Sequence, residues 1–166
     1  MADLWIYDFE QKRWTNLGAA SIGPDDDWGY IQPTWNPWFS DGSRLAYFTH
    51  DHKVLSIVGP DGVLREDINV DRTGGLALPS PDGQFVAYVT FEPRPMKSRP
   101  DLQFWGGTRV WVVPANGSAE PTPVTNTNLD EIYDLRWLDD HTVIFDRVAD
   151  VDFYKQARVW KAQVPR

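Results

Sequence analysis

The chain has 166 residues and a formal net charge of -8, with 42% hydrophobic residues, 14% aromatic residues and no cysteine. This composition is apolar enough for a buried core and excludes a disordered chain. The negative charge disfavours binding to the phosphate backbone of nucleic acids, and the lack of cysteine excludes disulfides, thiolate catalysis and cysteine zinc sites.

Neither a membrane-spanning segment nor a signal peptide is visible. No stretch approaches the ~20 consecutive apolar residues of a membrane helix. The amino end, "MADLWIYDFE", lacks the basic and then apolar pattern of an export signal. Strand-like sequence begins within a few residues of Met1, which leads us to expect missing upstream sequence.

Short apolar segments recur along the chain at a period close to 50 residues. One series reads "DLWIYDFE" at 3–10, "KVLSIVGP" at 53–60, "TRVWVVPA" at 108–115 and "ARVWKAQV" at 157–164. A second series, in which a polar turn leads into an apolar run, reads "SDGSRLAYFTH" at 40–50, "PDGQFVAYVTF" at 81–91 and "DDHTVIFDRV" at 139–148. A period of this length is typical of propeller blades.

Two further series complete the repeat. Before the polar turns come "YIQPTWNP", "GLALPS" and "IYDLRWL", and after the first series come "RWTNL", "LREDINV" and "TPVTNT". These segments are rich in β-branched and aromatic residues and are separated by Asp-Gly, Asn-Gly and Pro, which is typical of strands and hairpins. Each repeat therefore has four strands in the order a, b, c, d.

Four antiparallel strands per repeat predict an all-β chain, a partial β-propeller of about three and a quarter blades in one module, 1–166. The predicted units are a blade remnant at 3–17, a blade at 31–70, a blade at 75–127 and an incomplete blade at 131–166. A β-sandwich with similar hairpins is the alternative. Since the blades of a propeller pack on both faces, Phe85, Ala87 and Val89 are expected to face one neighbour, with Val86 and Tyr88 facing the other.

The segments "LPSPDGQFVAYVTF" at 78–91 and "PTWNPWFSDGSRLAYFTH" at 33–50 resemble the PD40, or WD40-like, repeat of the TolB family. The resemblance covers nearly the whole chain and implies a bacterial periplasmic or cell-envelope scaffold. Trp38 and Phe39 are additional before the first Asp-Gly, and residues 139–141 read Asp-Asp-His in place of Pro-Asp-Gly. The motif describes a turn and a packed strand, so it predicts fold rather than chemistry.

Three and a quarter blades do not close a ring, which usually needs four to eight. We expect the ring to be completed either by further sequence or by a second copy in a homodimer. Long connections at 18–31, 91–107 and 149–156 lie on one predicted rim and tight turns on the other. Long loops on a rigid scaffold are where binding usually occurs.

The candidate binding residues lie in two of these long connections. An acidic and aromatic group precedes the first predicted full blade, and a basic group lies within 91–107. The acidic group is interpreted as a solvated loop, with a site for calcium or a basic ligand as the alternative. The basic group is interpreted as an ordered surface loop, with a clamp for a partner or a carboxylate as the alternative. The set is Asp25, Asp26, Asp27, Trp28, Tyr30, Arg94, Lys97, Arg99 and Trp105.

Other motifs favour turns over chemistry. The Asp-Gly pairs at 41–42 and 82–83 are expected to be turns rather than calcium ligands. His50-Asp51-His52 is likewise expected to be a turn rather than a metal site, and Asn116-Gly117-Ser118 a turn rather than a glycosylation site. No nucleophile elbow, phosphate loop or catalytic triad is present in the sequence. We therefore predict neither a catalytic residue nor a bound metal or cofactor.

The favoured function is a noncatalytic module that binds a protein or peptide through the rim of long loops. The first alternative is a substrate-gating propeller of a prolyl-oligopeptidase-like or amidohydrolase-type enzyme, where the chemistry lies elsewhere. The second is a glycan-binding propeller, suggested by Trp28, Trp38 and Trp105. Trp111, Trp137 and Trp160 are expected to pack between blades.

Overall fold

A computed structural model describes residues 2–21, 36–70, 72–95, 101, 103–125, 132–148 and 157–164. These residues form strands and turns without an α-helix, as predicted, and none of them belongs to a helix that could cross a membrane. The twelve strands are β1 (Ala2–Asp8), β2 (Arg13–Ser21), β3 (Leu45–Thr49), β4 (Val54–Val58), β5 (Arg65–Asn69), β6 (Gly74–Pro79), β7 (Phe85–Pro95), β8 (Gln103–Pro114), β9 (Thr122–Pro123), β10 (Ile132–Asp139), β11 (Thr142–Val148) and β12 (Ala157–Gln163).

The strands form three antiparallel sheets in which neighbours in sequence are neighbours in space. The first sheet has the order β1-β2-β3-β4-β5, the second β6-β7-β8-β9 and the third β10-β11-β12. The predicted b, c and d segments of the repeat all coincide with strands, and so do the a segments of the second and third repeats. Most of the a segment of the first repeat, 30–37, lies outside the described residues, and Trp38 just after it forms an isolated bridge to Leu45.

The second sheet is buried on both faces. Val86 and Tyr88 belong to an apolar cluster with β3, β4 and β5 of the first sheet. Phe85, Ala87 and Val89 belong to another cluster with the third sheet. The predicted assignment of these five side chains to opposite faces is therefore confirmed, and the continuous apolar run reflects burial between two layers.

The β1–β2 hairpin packs across the outer face of the first sheet and is also hydrogen-bonded to that sheet. Only the end of β2 pairs with β3, through Ala20↔Thr49 and Ser21↔Phe48. Gly18, at a φ of 96°, bends the chain just before this pairing. The side chains in this contact are Leu4, Ile6 and Leu17 of the hairpin and Trp38, Leu45, Tyr47 and Val58 of the sheet. Residues 3–17, predicted as a separate blade remnant, thus share a sheet with β3–β5 yet form a further layer on it.

The predicted loop at 91–107 is largely a strand ribbon, so this part of the loop prediction was wrong. β7 and β8 stay paired from Phe85↔Pro114 to Pro95↔Gln103. Beyond Thr90, β7 has no pairing with β6. Pro93 and Pro95 are two residues apart, so their nitrogens can both face that open side, where no ladder hydrogen bond is lost.

Asx turns recur where the sequence has its Asp-Gly and Asn-Gly pairs. In each turn the side-chain oxygen accepts a hydrogen bond from the backbone N–H two residues later, and the following glycine has a positive φ. The donors are Ser43 to Asp41, Val63 to Asp61, Gln84 to Asp82 and Ser118 to Asn116. The turn interpretation of these pairs is confirmed.

Candidate functional site

Most of the predicted site residues lie outside the described residues. This holds for Asp25, Asp26, Asp27, Trp28, Tyr30, Lys97 and Arg99. Arg94 lies in β7, paired with Phe104, and Trp105 lies in β8, paired with Pro93. The side chains of Arg94 and Trp105 are outside the described part, so the predicted rim site stays a prediction.

The His50-Asp51-His52 segment forms the tight turn between β3 and β4. The Asp51 carboxylate accepts hydrogen bonds from the Thr49 hydroxyl at 2.7 Å and from the Lys53 N–H at 3.1 Å. The Thr49 bond and then the Lys53 bond hold the pKa of Asp51 below its ordinary value. The two imidazole centroids are 6.5 Å apart and tilted by 40°. The carboxylate thus stabilises the turn, as the sequence interpretation expected.

Neighbouring turns of the first two sheets contact each other on the tight-turn side. The Ser40 hydroxyl donates a 2.6 Å hydrogen bond to the Pro81 carbonyl. The Arg44 guanidinium lies 4.1 Å from the centre of the buried Phe39 ring. Next to them is a depression of about 460 Å³ lined by Arg44, Gly83, Gln84, Phe85, Pro114, Ala115, Asn116 and Ser118.

A second cleft lies between the first two sheets. Its volume is about 290 Å³. Aromatic side chains form its floor, and its lining also includes one basic and one acidic residue. Asn69, Val70 and Arg72 come from the end of β5 and the connection to β6, and Tyr88 and Thr90 come from β7. The remaining lining residues are Trp111, Glu120 and Pro121. We call this the Trp111 cleft.

The side chains of the Trp111 cleft are arranged around the indole. The indole N–H donates a 3.1 Å hydrogen bond to the Thr90 hydroxyl, which fixes the ring. The guanidinium carbons of Arg72 and Arg109 lie 6.0 and 5.7 Å from the ring. Arg72 also pairs with Glu92 at 3.3 Å, and both of these side chains remain substantially exposed. The cleft is therefore preformed and polar at its edge.

Sequence reasoning missed this cleft because its members come from distant segments. Trp111 was predicted only as a packing residue, and it does pack against the cluster between the first two sheets. Arg72 lies in a short connection without a motif, and Glu120 follows the Asn116-Gly117 pair, which predicts only a turn. The useful signal would have been the charged residues that flank the d strands on either side.

A polar cluster on β4 and β5 was also not foreseen. The buried Ser56 hydroxyl donates a 2.6 Å hydrogen bond to the Asp67 carboxylate, which also accepts from Arg65 at 3.0 Å. The hydrogen bond to Asp67 raises the pKa of Arg65. Charge and hydrogen-bonding capacity are thus satisfied within the sheet, which indicates a structural role.

Trp111 and Trp137, two of the three tryptophans predicted to pack between blades, do pack against the apolar clusters between sheets. Trp137 packs against the cluster between the second and third sheets, and its indole N–H donates a 2.9 Å hydrogen bond to the Leu78 carbonyl. Trp38, one of three residues put forward for glycan stacking, packs instead against the cluster under the hairpin. Trp160 is 43% exposed. Of the glycan candidates, Trp28 and the side chain of Trp105 lie outside the described residues.

Within the described residues, no group of three or more His, Asp or Glu side chains is placed to hold a metal ion. No protein-family model matches the chain, and no curated protein is similar to it. The fold and the cleft define an all-β protein of small antiparallel sheets with a preformed surface cleft.

Proposed function

We propose that the three sheets are consecutive blades of a β-propeller of the TolB-like kind, and that the chain is a noncatalytic module that binds a protein or peptide segment. The four-stranded repeat and its resemblance to the PD40 motif support the propeller. The burial of the second sheet on both faces supports it too, because a blade needs a neighbour on each side.

The Trp111 cleft is the observation that carries the binding proposal. It lies between two of the proposed blades, and its lining includes residues of the connections from β5 to β6 and from β8 to β9. An aromatic floor with a few polar groups at its edge is the usual composition of a recognition site. Its volume of about 290 Å³ suits an extended segment rather than a globular surface.

The charges of the cleft suggest how a segment would be held. Arg72 is paired with Glu92 at the surface, and such exposed pairs contribute only about 0–1 kcal/mol. A carboxylate of the ligand can therefore replace Glu92 as the partner of Arg72 at little cost. Glu120, on the other side of the cleft, can accept a hydrogen bond from a backbone N–H or pair with a basic residue.

The proposal is tested by probing an array of random twelve-residue peptides with the purified chain. The peptides that bind are then measured in solution against the wild type, Arg72→Gln and Glu120→Gln. We expect both variants to weaken binding by about tenfold, the usual effect of losing one charged contact. Thermal melting of each variant would show that folding is retained.

Arg44→Gln is the matched control, because Arg44 lines the depression on the tight-turn side. Its binding is expected to equal that of the wild type. Loss of binding in Arg44→Gln, with no change in Arg72→Gln and Glu120→Gln, would move the site to the opposite rim. An array without any binder would contradict peptide recognition altogether.

A further inference from the structure

One face of the β1–β2 hairpin carries an aromatic surface without a partner among the described residues. Leu4 and Ile6 point toward the first sheet, so Trp5 and Tyr7, which alternate with them, point away from it. Trp14 lies opposite Tyr7 in the ladder, and the two rings are 4.8 Å apart. Phe9, in the turn, packs edge-on against Tyr7 at 4.9 Å. We call Trp5, Tyr7, Phe9 and Trp14 the hairpin face.

This aromatic surface is unusually accessible. Trp5 is 51% exposed, Phe9 84% and Trp14 62%. An aromatic side chain carries about 150–250 Å² of surface, so these three leave roughly 400 Å² in contact with water. A contiguous apolar patch of this size usually indicates an interaction site.

The outer face of the third sheet lies at the other end of the stack. Phe145 packs toward the second sheet, so its neighbours Ile144 and Asp146 point away, and so does Val159, which pairs with Asp146. Leu138 is 61% exposed and Val159 67%. The third-sheet face thus combines aliphatic groups with charges of both signs. Its members are Leu138, Ile144 and Val159, the cations Arg136 and Lys161, and the carboxylate Asp146, and Arg136 also pairs with Asp134 at 3.5 Å.

The two faces are complementary in chemistry. The hairpin face is aromatic and is bordered by the Asp3 carboxylate, which accepts a 3.1 Å hydrogen bond from Asn16. The third-sheet face supplies the Lys161 cation and the exposed Arg136, which also pairs with Asp134, and such cations interact favourably with aromatic rings. Its aliphatic groups supply apolar area for the exposed tryptophans.

The contact would also continue the stacking seen inside the chain. The hairpin packs on the first sheet, the first on the second and the second on the third, always through apolar faces. The hairpin face and the third-sheet face are the two ends of this series. Joining them adds one more layer contact of the same kind.

We propose that the hairpin face of one copy of this chain packs against the third-sheet face of a second copy, in a symmetric dimer. This inference rests on the propeller geometry proposed above. Two-fold symmetry repeats the contact, since each copy contributes both faces. Each protomer thereby buries two patches. Their combined area approaches the buried area of a stable interface, which is about 800 Å² per partner.

Analytical ultracentrifugation of the ligand-free chain, from low micromolar to hundreds of micromolar, tests the proposal. We expect a dimer in the wild type. Trp14→Gln and Val159→Gln each remove an apolar contact that occurs twice in the dimer, so each is expected to weaken self-association about a hundredfold. Val63→Gln is the control, because Val63 is 83% exposed but lies in a turn outside both faces.

Mixing the two variants gives the sharpest result. A Trp14→Gln protomer keeps its third-sheet face and a Val159→Gln protomer keeps its hairpin face, so the mixture retains one intact contact. The proposal places Trp14 against Val159, so the two substitutions on the other contact cost less than two separate losses. The mixture is therefore expected to associate more strongly than either variant alone. A wild type that stays monomeric, or an assembly that neither substitution weakens, would overturn the proposal.

The peptide measurements keep this outcome separate from the proposed function. Trp14 and Val159 lie outside the Trp111 cleft, so their variants are expected to bind the selected peptides like the wild type. Loss of the dimer with retained peptide binding would support both proposals. A dimer that binds no peptide would contradict the proposed peptide binding and leave the proposed dimer in place.

Discussion

The buried Tyr47 hydroxyl donates a 2.7 Å hydrogen bond to the carbonyl oxygen of Leu17. This bond fastens the β1–β2 hairpin to the centre of the first sheet, where β2 and β3 are not yet paired. Burial raises the pKa of Tyr47, so the hydroxyl remains protonated and available as a donor.

Tyr47→Phe is expected to lower the free energy of unfolding by about 1–2 kcal/mol, because the Leu17 carbonyl would lose its buried donor. Urea denaturation followed by tryptophan fluorescence measures the change. Tyr7→Phe is the control, since Tyr7 lies on the outer face of the hairpin. Equal stability of Tyr47→Phe and the wild type would show that the hairpin is held by apolar packing alone.

Gly74→Ala is expected to be strongly destabilising. A β-carbon at residue 74 would overlap the ring of Phe48, which is buried between the first two sheets. Overpacking of this kind costs about 1–3 kcal/mol, and we expect the upper end because the ring has no free space. Thermal melting would measure the loss.

Gly42→Ala separates this overlap from backbone effects. Gly42 has a φ of 70°, and its added β-carbon would meet nothing within 4 Å, so only backbone strain of about 1 kcal/mol is expected. The double variant Gly74→Ala with Phe48→Leu should recover part of the stability. If Gly74→Ala were no worse than Gly42→Ala, the close approach of β3 and β6 would be refuted.

Trp137→Phe is expected to loosen the third sheet from the second. The substitution keeps an aromatic ring in the apolar cluster but removes the 2.9 Å hydrogen bond to the Leu78 carbonyl. A loss of about 1–2 kcal/mol follows from an unsatisfied carbonyl. Hydrogen exchange should show earlier opening of β10–β12 than of β6–β8, and uniform opening of all strands would argue against a specific link.

Acid stability is expected to depend on three turn carboxylates. Hydrogen bonds from the Ser43 and His141 backbone hold the pKa values of Asp41 and Asp139 below the ordinary value, and the Thr49 hydroxyl does so for Asp51. A lowered folded pKa gives stability that is present above the unfolded pKa and is lost as the pH falls from about 4 through the folded value.

The triple variant Asp41→Asn, Asp51→Asn, Asp139→Asn keeps the acceptor oxygens but removes these titrations. Its urea midpoint should therefore fall less than that of the wild type between pH 6 and pH 3. The same fall in both proteins would mean that other carboxylates govern acid unfolding. Each pH point needs its own denaturation curve, because the slope can change with charge.

Local chemistry let the sequence predict much of the architecture. An apolar run such as 85–89 alternates by two along a strand, so its division between two faces follows from the sequence once both faces are known to be buried. The turns at Asp41, Asp82 and Asn116 followed from the Asp-Gly and Asn-Gly pairs, because an Asx turn needs only neighbouring residues.

The predicted binding rim remains a prediction. Its residues are outside the described part or, for Arg94 and Trp105, known only by their strand positions. The segment 91–107 was predicted to be a long connecting loop, whereas β7 and β8 continue into it as a ribbon that contains Pro93 and Pro95. They are tolerated there because β6 ends short of them, which no local pattern in β7 reveals.

Strand order, alternation and turn chemistry were thus determined by the sequence itself, because each depends on residues close together in the chain. Tertiary structure alone decided that Arg72 meets Trp111, that Phe48 leaves room only for glycine at residue 74, and that the hairpin folds over the first sheet. These contacts join separate repeats, and they depend on the register and twist with which whole sheets stack.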